Sequence, residues 1–417
     1  MFKDVLPSWI QNLEKSGIQK ALQTTSKTDI ISFSLGRPDN DILALLELKD
    51  ASLDLFSPEN LQYSPPSLEL KGHIVELMQE KQVFCTPEQI ILTTGAQQAM
   101  TLLVKLFITE GDSILVDQVT YPGFIQIAQA NHADLIPIPV CFQNGLDVEE
   151  LSYILEKTNK PSLIYTMSEG HNPLGISLNK EHRIKLTKLA EHYKIPIIED
   201  DAYGFLNYDS VELPLKSYWR EGVFYIGSFS KIMAPSLRVG WIIASESMIE
   251  KLEILKEGLD INTSTLSQKL INSLFIKGCL KEHVLKLREE YGKKRDIMVE
   301  ALKKHIPEME FSIPRSGFFI WGKLPFSMNT DRLFKLALEE EKVSFLPGSA
   351  FLIGKREDIQ NCLRLSFAFC PIDLIEGGIK RLAVAIQSYK WHNEGQYISP
   401  LTKSKEEKSK KLLSNNS

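Results

Sequence analysis

Short apolar runs alternate with longer amphipathic segments through the middle of the chain. The apolar runs are typical of buried β-strands, and they cover residues 88–94, 112–117, 161–167, 195–200 and 223–228. Residues 95–108 and 179–194 are predicted helices, the second with Asn179 as its N-cap. The apolar residues largely on one side of that second helix are Ile184, Leu186, Leu189, Ala190 and Tyr193. Strands alternating with helices in this way predict an α/β fold with a mostly parallel sheet.

Polar and turn residues follow each predicted strand at the point where the strand ends. In sheets of this kind, ligands bind beyond the carboxyl ends of the strands. In chain order, the residues at these ends include Gly95, Ala96, Gln97, Tyr121, Asn172, Asp200, Tyr203, Ser228, Ser230, Lys231 and Arg238. Each of them alone is more often structural than functional. Their joint occurrence after successive strands indicates one shared ligand site.

Two of these strand ends are suited to a phosphate. The turn at residues 95–97 leads into a helix N-terminus, where free N–H groups and the helix dipole favour an anion. Ser228 and Ser230 add two hydroxyls, and Arg238 adds a fork of N–H donors. The sequence therefore predicts a phosphorylated ligand.

The lysine within the same stretch predicts covalent chemistry. Lys231 follows an apolar strand and has Arg238 close in sequence, and both desolvation and a nearby cation turn a lysine into a nucleophile. Asp200 is suited to pair with a protonated ring nitrogen, and Tyr121 to stack on a ring. A phosphate, an aldehyde, a basic ring nitrogen and an aromatic plane together describe pyridoxal 5′-phosphate.

The stretch SFSKIMAPSLRVGW, residues 228–241, resembles the lysine motif of fold-type I pyridoxal-phosphate enzymes in the class I/II aminotransferase family. The resemblance runs from Ile30 to Tyr389 through LQYSP, TTGAQQA, TYPG, HNPLG, IIEDDAYG, SGFFIW, LPGSAF and NCLRLSFA. The branch it most resembles is that of the 2-aminoadipate/kynurenine aminotransferases, to which the transaminase-like domain of MocR regulators is related. It implies a large domain with a mostly parallel seven-stranded sheet and a smaller α+β domain.

The resemblance also implies the domain organisation and the activity. The expected division is an N-terminal segment (1–44) that belongs to the small domain and the edge of the substrate site, a large domain (45–288), a small domain (289–398) and a tail (399–417). The tail is lysine-rich and lacks aromatics, which predicts disorder. The expected reaction moves an amino group between an L-amino acid and a 2-oxo acid by a ping-pong mechanism through pyridoxamine phosphate.

Each matching residue receives a role from the resemblance. The catalytic residues are Lys231, Asp200 and Tyr203. The cofactor-binding residues are Gly95, Ala96, Gln97, Tyr121, Asn172, Asp200, Tyr203, Ser228, Ser230, Lys231, Arg238 and Tyr63. The substrate-binding residues are Arg364, Gly36 and Asn172. Tyr63 matches a tyrosine that reaches the phosphate from the neighbouring subunit, which implies a homodimer with shared active sites. No metal is expected.

Within this set, the resemblance assigns particular contacts. Lys231 is the Schiff-base lysine and moves the proton between the substrate α-carbon and the cofactor C4′ atom. Asp200 pairs with the pyridine nitrogen, and Asn172 and Tyr203 reach the ring 3-oxygen. Arg364 grips the α-carboxylate in a bidentate fashion. We interpret Asp201, beside Asp200, as hydrogen-bonding support.

Composition narrows the classes of protein that the chain can belong to. Its 417 residues are 43% hydrophobic and 24% charged, with a formal net charge of −5, so no protein-wide field for nucleic acid or anionic membrane is expected. The five cysteines contain no C-x-x-C pair, which argues against a disulfide scaffold or a zinc site and favours a reducing cytoplasm. Neither a signal peptide nor a membrane span is predicted.

Some departures from the family pattern leave alternatives open. NPLG replaces NPTG, so Leu174 stands where a hydroxyl is usual, and the strip after Tyr63 has Lys71 in place of the usual arginine. These changes frame the substrate and leave the cofactor residues intact. Elimination, cyclisation or oxidation of an amino acid in a specialised pathway is therefore the alternative. A pyridoxal-phosphate-sensing regulator is a remote one, because only about thirty residues precede ISFSLG.

Overall fold

The computed structural model describes residues 5–7, 10, 29–38, 40–44, 55–158, 160–209, 212–325, 327–354 and 359–393. The predicted tail, residues 399–417, lies outside the described residues, and so does much of the predicted N-terminal segment. In the part of the chain described, no helix is both long and apolar enough to cross a membrane. The same part holds no group of three or more side chains suited to a metal ion.

Strands and helices alternate along the described residues. The strands are β1 (Ile31–Ser32), β2 (Ile90–Thr93), β3 (Ser113–Asp117), β4 (Asp134–Ile138), β5 (Val140–Cys141), β6 (Gly145–Leu146), β7 (Leu163–Thr166), β8 (Ile197–Asp200), β9 (Val223–Ser228), β10 (Gly240–Ile243), β11 (Glu310–Phe311), β12 (Phe319–Lys323), β13 (Val343–Ser344), β14 (Leu346–Pro347) and β15 (Cys362–Ser366). The α-helices are α1 (Asn40–Ala44), α2 (Leu68–Gln79), α3 (Ala96–Phe107), α4 (Pro122–Ala130), α5 (Val148–Lys157), α6 (Lys180–Tyr193), α7 (Leu215–Tyr218), α8 (Glu246–Asp260), α9 (Thr265–Ile276), α10 (Cys279–His305), α11 (Thr330–Glu339) and α12 (Ile375–Asn393).

A seven-stranded sheet forms the centre of the fold, in the order β2-β10-β9-β8-β7-β3-β4. The run β9-β8-β7-β3-β4 is parallel, and β10 is antiparallel to both of its neighbours. This confirms the predicted mostly parallel sheet, and all five predicted strands lie in it. The sequence reading did not identify β4, whose DLIPI residues are only half-buried at the sheet edge, or the four-residue β10.

Two hydrophobic cores cover the two faces of this sheet. Successive residues of β3 alternate between them, because side chains along a strand point to opposite faces: Ile114 and Val116 lie in one core, and Leu115 in the other. Helix α6 packs on the second core, where Leu186 and Ala190 are buried. Its predicted N-cap is confirmed, since the Asn179 side chain accepts from the His182 N–H at 2.9 Å.

A second, four-stranded sheet has the order β11-β12-β15-β14 and is antiparallel throughout. Strand β1, from the beginning of the described chain, pairs in parallel with β13, so that Ile31 lies opposite Val343. The long helix α10 runs across residues 288 and 289, where a domain boundary is predicted. That boundary stays a prediction.

Candidate active site

A cavity of about 450 Å³ lies where the carboxyl ends of the central strands meet the β12–β15 part of the second sheet. It brings together twelve residues that the sequence singled out: Gly36, Ala96, Gln97, Tyr121, Asn172, Asp200, Tyr203, Ser228, Ser230, Lys231, Arg238 and Arg364. Gly95, the N-cap of helix α3, directly precedes Ala96, which lines the cavity. Tyr63 does not line this cavity.

One end of the cavity is built to attract an anion. Helix α3 begins there, and its N-cap Gly95 has a φ of 77°. This backbone angle favours glycine, and a Cβ at position 95 would lie 2.5 Å from the Arg238 Nη2 atom and displace the guanidinium. Arg238 Nη2 donates to the Thr94 carbonyl at 3.1 Å, and Ser228 Oγ accepts from the Ser230 N–H at 3.2 Å.

Lys231 lies within the cavity, where its surroundings disfavour the charged form of its amine. Its Nζ donates to the Gly36 carbonyl at 2.7 Å. Burial, assisted by the charges of Arg364 and Arg238, lowers the pKa of Lys231 to about 8. About a tenth of this amine is therefore unprotonated at pH 7, far more than for an ordinary lysine, and the unprotonated form is the one that attacks a carbonyl.

Asp200 is the last residue of β8, and only one of its two carboxylate oxygens is hydrogen-bonded. Its Oδ2 accepts from the Tyr165 hydroxyl at 3.0 Å. Its buried Oδ1 has no hydrogen-bond partner among the described residues. Burial raises the pKa of Asp200 to about 6, with Asp201 adding to the rise and the Tyr165 bond opposing it. An unpartnered carboxylate oxygen in a cavity calls for a donor on a ligand.

Arg364, in β15, is a buried cation without a carboxylate partner among the described residues. Its Nη1 donates to Asn172 Oδ1 at 2.7 Å and its Nη2 to the Ser34 carbonyl at 2.5 Å. Its Cζ lies 4.2 Å from the Phe319 ring centroid, and burial lowers its pKa to about 10. The Nε atom has no partner in this part of the chain. Such a guanidinium is suited to an incoming carboxylate.

Tyrosine rings complete the walls. The Tyr121 hydroxyl donates to Gln97 Oε1 at 3.4 Å. A Cβ at Gly123 would lie 2.4 Å from the Tyr121 ring, so this glycine makes room for the ring. Tyr203 is buried edge-on against Phe318 at 5.2 Å between centroids, and burial raises the pKa of its hydroxyl well above the usual range. Both tyrosine hydroxyls therefore stay protonated at neutral pH and can donate a hydrogen bond.

Tyr63 lies elsewhere, on the surface. Its side chain is 88% exposed, and it lines a separate groove with residues that include Asn262 and Thr265. Asn262 Nδ2 donates to the Ser64 carbonyl at 2.8 Å and so holds the two walls of that groove together. Within one chain, Tyr63 is therefore not part of the cavity, and its predicted role stays a prediction.

Among the residues of the site that sequence reasoning missed, three have polar or aromatic side chains. Tyr165, which bonds Asp200, lies inside the apolar run LIYT and looks like an ordinary core aromatic. Phe319, beneath Arg364, belongs to a quoted motif, SGFFIW, but received no role. Arg37 lines the cavity and stacks 4.4 Å from the Phe369 ring centroid. Only Arg37, next to Gly36, carried a signal, because an arginine beside a predicted pocket glycine is a candidate ligand group.

Comparison with known proteins identifies the family. The family model "Aminotransferase class I and II" matches residues 28–382. The chain belongs to that family. Aromatic-amino-acid aminotransferase 1 of Thermococcus litoralis is 32% identical over 388 residues, which are 90% of this chain and 92% of that protein. The 2-aminoadipate transaminase of Thermus thermophilus is 31% identical over 386 residues, 90% of this chain and 94% of that protein.

A solved structure agrees with these sequence matches. Pyrococcus horikoshii kynurenine aminotransferase, in complex with PMP, KYN as substrates and KYA as products, has a TM-score of 0.86 and 29% identity to this chain. The match covers 93% of this chain and 98% of that one. Both the predicted family and the predicted fold-type I architecture are confirmed. The protein is an enzyme, a pyridoxal-phosphate-dependent transaminase that acts on amino acids and 2-oxo acids.

The residues present in this aminotransferase fit its cofactor. The cradle at Gly95 and Arg238, which a Cβ would fill, is cationic and suits a phosphate. The unpartnered Oδ1 of Asp200 suits a protonated ring nitrogen. Lys231 lines the same cavity, and its amine suits an aldehyde.

Ionisation of the buried Asp200 should lower the free energy of unfolding of the cofactor-free protein. Its pKa is about 6 when folded against 3.8 for an ordinary Asp, so the folded state binds the proton more tightly. Stability contributed by this group is therefore lost as pH rises from about 4 to 6. Asp200→Asn should stabilise the cofactor-free protein at pH 7.5 by about 1–3 kcal/mol, and by less toward pH 4. Thermal unfolding at both pH values checks this, and an equal gain at both would contradict it.

Proposed function

We propose that Lys231, Asp200 and Tyr203 are the catalytic residues of this aminotransferase. The proposal is carried by one observation: the amine of Lys231, the unpartnered oxygen of Asp200 and the guanidinium groups of Arg238 and Arg364 share one cavity. These are the groups needed to hold a phosphate, a ring nitrogen, an aldehyde and an α-carboxylate. Burial of Lys231, together with repulsion from Arg364 and Arg238, also accounts for the lowered pKa of its amine.

The remaining predicted residues are proposed to hold the cofactor and substrate. The phosphate is assigned to Gly95, Ala96, Gln97, Ser228, Ser230 and Arg238. The ring is assigned to Tyr121, Asn172, Asp200 and Tyr203. The substrate is assigned to Arg364, Gly36 and Asn172. The Asn172 oxygen already accepts from Arg364, so its amide nitrogen is the group that can donate to an oxygen of the ring.

When bound, the cofactor supplies a pyridinium ring that accepts electrons from the substrate. Asp200 accepts a hydrogen bond at the ring nitrogen and so favours its protonated form. Arg364 fixes the α-carboxylate and thereby orients the α-carbon. Lys231 would move the proton between that carbon and the cofactor C4′ atom, a task for which a pKa of about 8 is well matched to neutral pH.

A half-reaction experiment tests this function. Each amino acid of a panel is added without an oxo acid to the protein loaded with pyridoxal phosphate. The panel includes aromatic amino acids, 2-aminoadipate and kynurenine, after which relatives are named. We expect loss of the visible cofactor absorbance, release of the matching oxo acid and recovery on adding a second oxo acid. Ammonia release or oxygen consumption would support the elimination or oxidation alternative.

We further propose a homodimer in which Tyr63 completes the partner's site. The exposed Tyr63 and Leu61 support this, because they line the same surface groove and clustered exposed apolar groups mark interfaces. Sedimentation should give twice the 47.3 kDa mass of the chain. A cytoplasmic location is also proposed, since all five cysteines are free, as in a reducing compartment.

A further inference from the structure

Lys81, just beyond the end of α2, is a buried charge behind the active site. Its N–H donates to the Met78 carbonyl at 3.0 Å, and its side chain is only 7% exposed. Its ammonium pairs with the Asp201 carboxylate, which is 1% exposed. Such a buried pair is weak evidence for stability, because desolvation of both charges offsets their attraction. Stability alone therefore does not explain why the chain buries this ion pair.

The surroundings of the pair are built to hold it. The Tyr225 hydroxyl donates to Asp201 Oδ2 at 2.7 Å, and Lys81 Nζ lies 4.5 Å from the Phe205 ring centroid. A Cβ at Gly204 would lie 2.1 Å from the Asp201 carboxylate and 2.2 Å from Lys81 Nζ. Any other residue at position 204 would therefore occupy the space that the pair needs.

Asp201 directly follows Asp200 in the chain, and both side chains are buried, at 1% and 2% exposure. Asp201 raises the pKa of Asp200, as expected for a like charge in a buried setting. With Lys81 beside it, Asp201 acts on Asp200 as one half of a neutral pair. Without Lys81, the full negative charge of Asp201 would act on Asp200 at short range.

We propose that Lys81 is a positioning residue of the active site: by neutralising Asp201 it allows the neighbouring Asp200 to remain negatively charged opposite the cofactor ring. The inference rests on the proposed role of Asp200. It assigns the buried Lys81–Asp201 pair, in which Lys81 lies outside the cavity lining, a function in cofactor binding.

Other titratable groups act on the two carboxylates and must stay constant in a test. Those near Asp200 are Tyr165, His171, Tyr121, Tyr203 and Lys231. Those near Asp201 are Glu199, Tyr225 and Lys81. Of these groups, only Lys81 forms an ion pair with Asp201 in the described part of the chain. Substituting Lys81 therefore changes one charge while the others stay in place.

The test measures binding of pyridoxal phosphate to cofactor-free protein by tryptophan fluorescence between pH 5.5 and 8.5. We expect Lys81→Met to raise the pH midpoint of binding by about one unit, which weakens binding about twofold at pH 7 and about eightfold at pH 5.5. Asp201→Asn should shift the midpoint downward. The double variant should return to within about threefold of the natural protein. The ionisation of the phosphate is common to all variants, so differences between them report on the protein.

Lys294→Met is the matched control, because Lys294 is also a buried lysine but bonds the carbonyls of Ala368 and Cys370, at 3.2 and 2.9 Å. It should lower thermal stability without moving the binding midpoint. If Lys81→Met behaves like this control, the pair is structural and the inference is wrong. If Lys81→Met does not fold, an unchanged midpoint in Asp201→Asn overturns the inference equally. Failure of the natural protein to bind pyridoxal phosphate would instead overturn the proposed function.

Discussion

Lys231→Ala should lower kcat for transamination by about 10³-fold or more. The variant loses the amine that we propose attacks the aldehyde and moves the α-proton. The phosphate cradle at Gly95 and Arg238 is untouched, so pyridoxal phosphate should still bind, though reversibly. Single-turnover kinetics measure the first effect. Gel filtration, which removes a cofactor that is not covalently held, measures the second.

A small primary amine in the buffer provides the control for this variant. Alanine leaves a space in the cavity beside the Gly36 carbonyl, which Lys231 Nζ contacts at 2.7 Å in the natural protein. An amine that enters this space should restore part of the lost rate, in proportion to its concentration. An unchanged kcat in Lys231→Ala would contradict the assignment. Lost activity without rescue, together with lost binding of the cofactor, would indicate a collapsed site.

Arg364→Met should lower kcat/KM for α-amino acids by about 10²–10³-fold, because charge-assisted hydrogen bonds to a buried carboxylate are worth several kcal/mol in total. Most of this loss should appear in KM, since the proposed role of the arginine is to hold the carboxylate both before and during the reaction. Affinity for pyridoxal phosphate should stay within about threefold, because the phosphate cradle and Asp200 are unaltered. Steady-state kinetics and fluorescence titration check the two expectations.

An amine that lacks the α-carboxylate is the matched control substrate for Arg364→Met. The natural enzyme should turn this amine over slowly, and the variant should do so at the same rate, because the amine has no carboxylate for Arg364 to bind. Arg364→Lys should recover only part of the activity, since a point charge cannot replace the planar fork that also bonds Asn172 and Ser34. Equal losses for substrates with and without the carboxylate would show that Arg364 acts through folding alone.

The order of polar residues after the strands could be predicted from the sequence, because each follows a recognisable apolar run. Asp200, Lys231 and Arg238 come together for this reason: parallel strands end at one edge of the sheet, and their following loops meet there. Arg364 was assigned only through the resemblance, since nothing local in CLRLS shows that β15 reaches the same cavity.

Other residues could not be predicted, because their partners are distant in sequence. Tyr165 and Asp200 are 35 residues apart, and Lys81 and Asp201 are 120 apart. A tyrosine within an apolar strand is an ordinary core residue. A lysine after a helix is an ordinary surface residue. Only the folded chain distinguishes these two from the many similar residues that have no such contact. Strand β4 was missed for a related reason, because an edge strand needs little apolar sequence.

The pairing of β1 with β13 determines when the site can form in a growing chain. Ile31 leaves the ribosome long before Val343, the residue it lies opposite. At about 5–20 residues per second, the earlier strand waits roughly 15–60 s for its partner. During that interval the Gly36 carbonyl has no fixed place beside Lys231, and Arg364 has not yet been made. A nascent chain can therefore fold its central sheet well before it is able to capture a substrate.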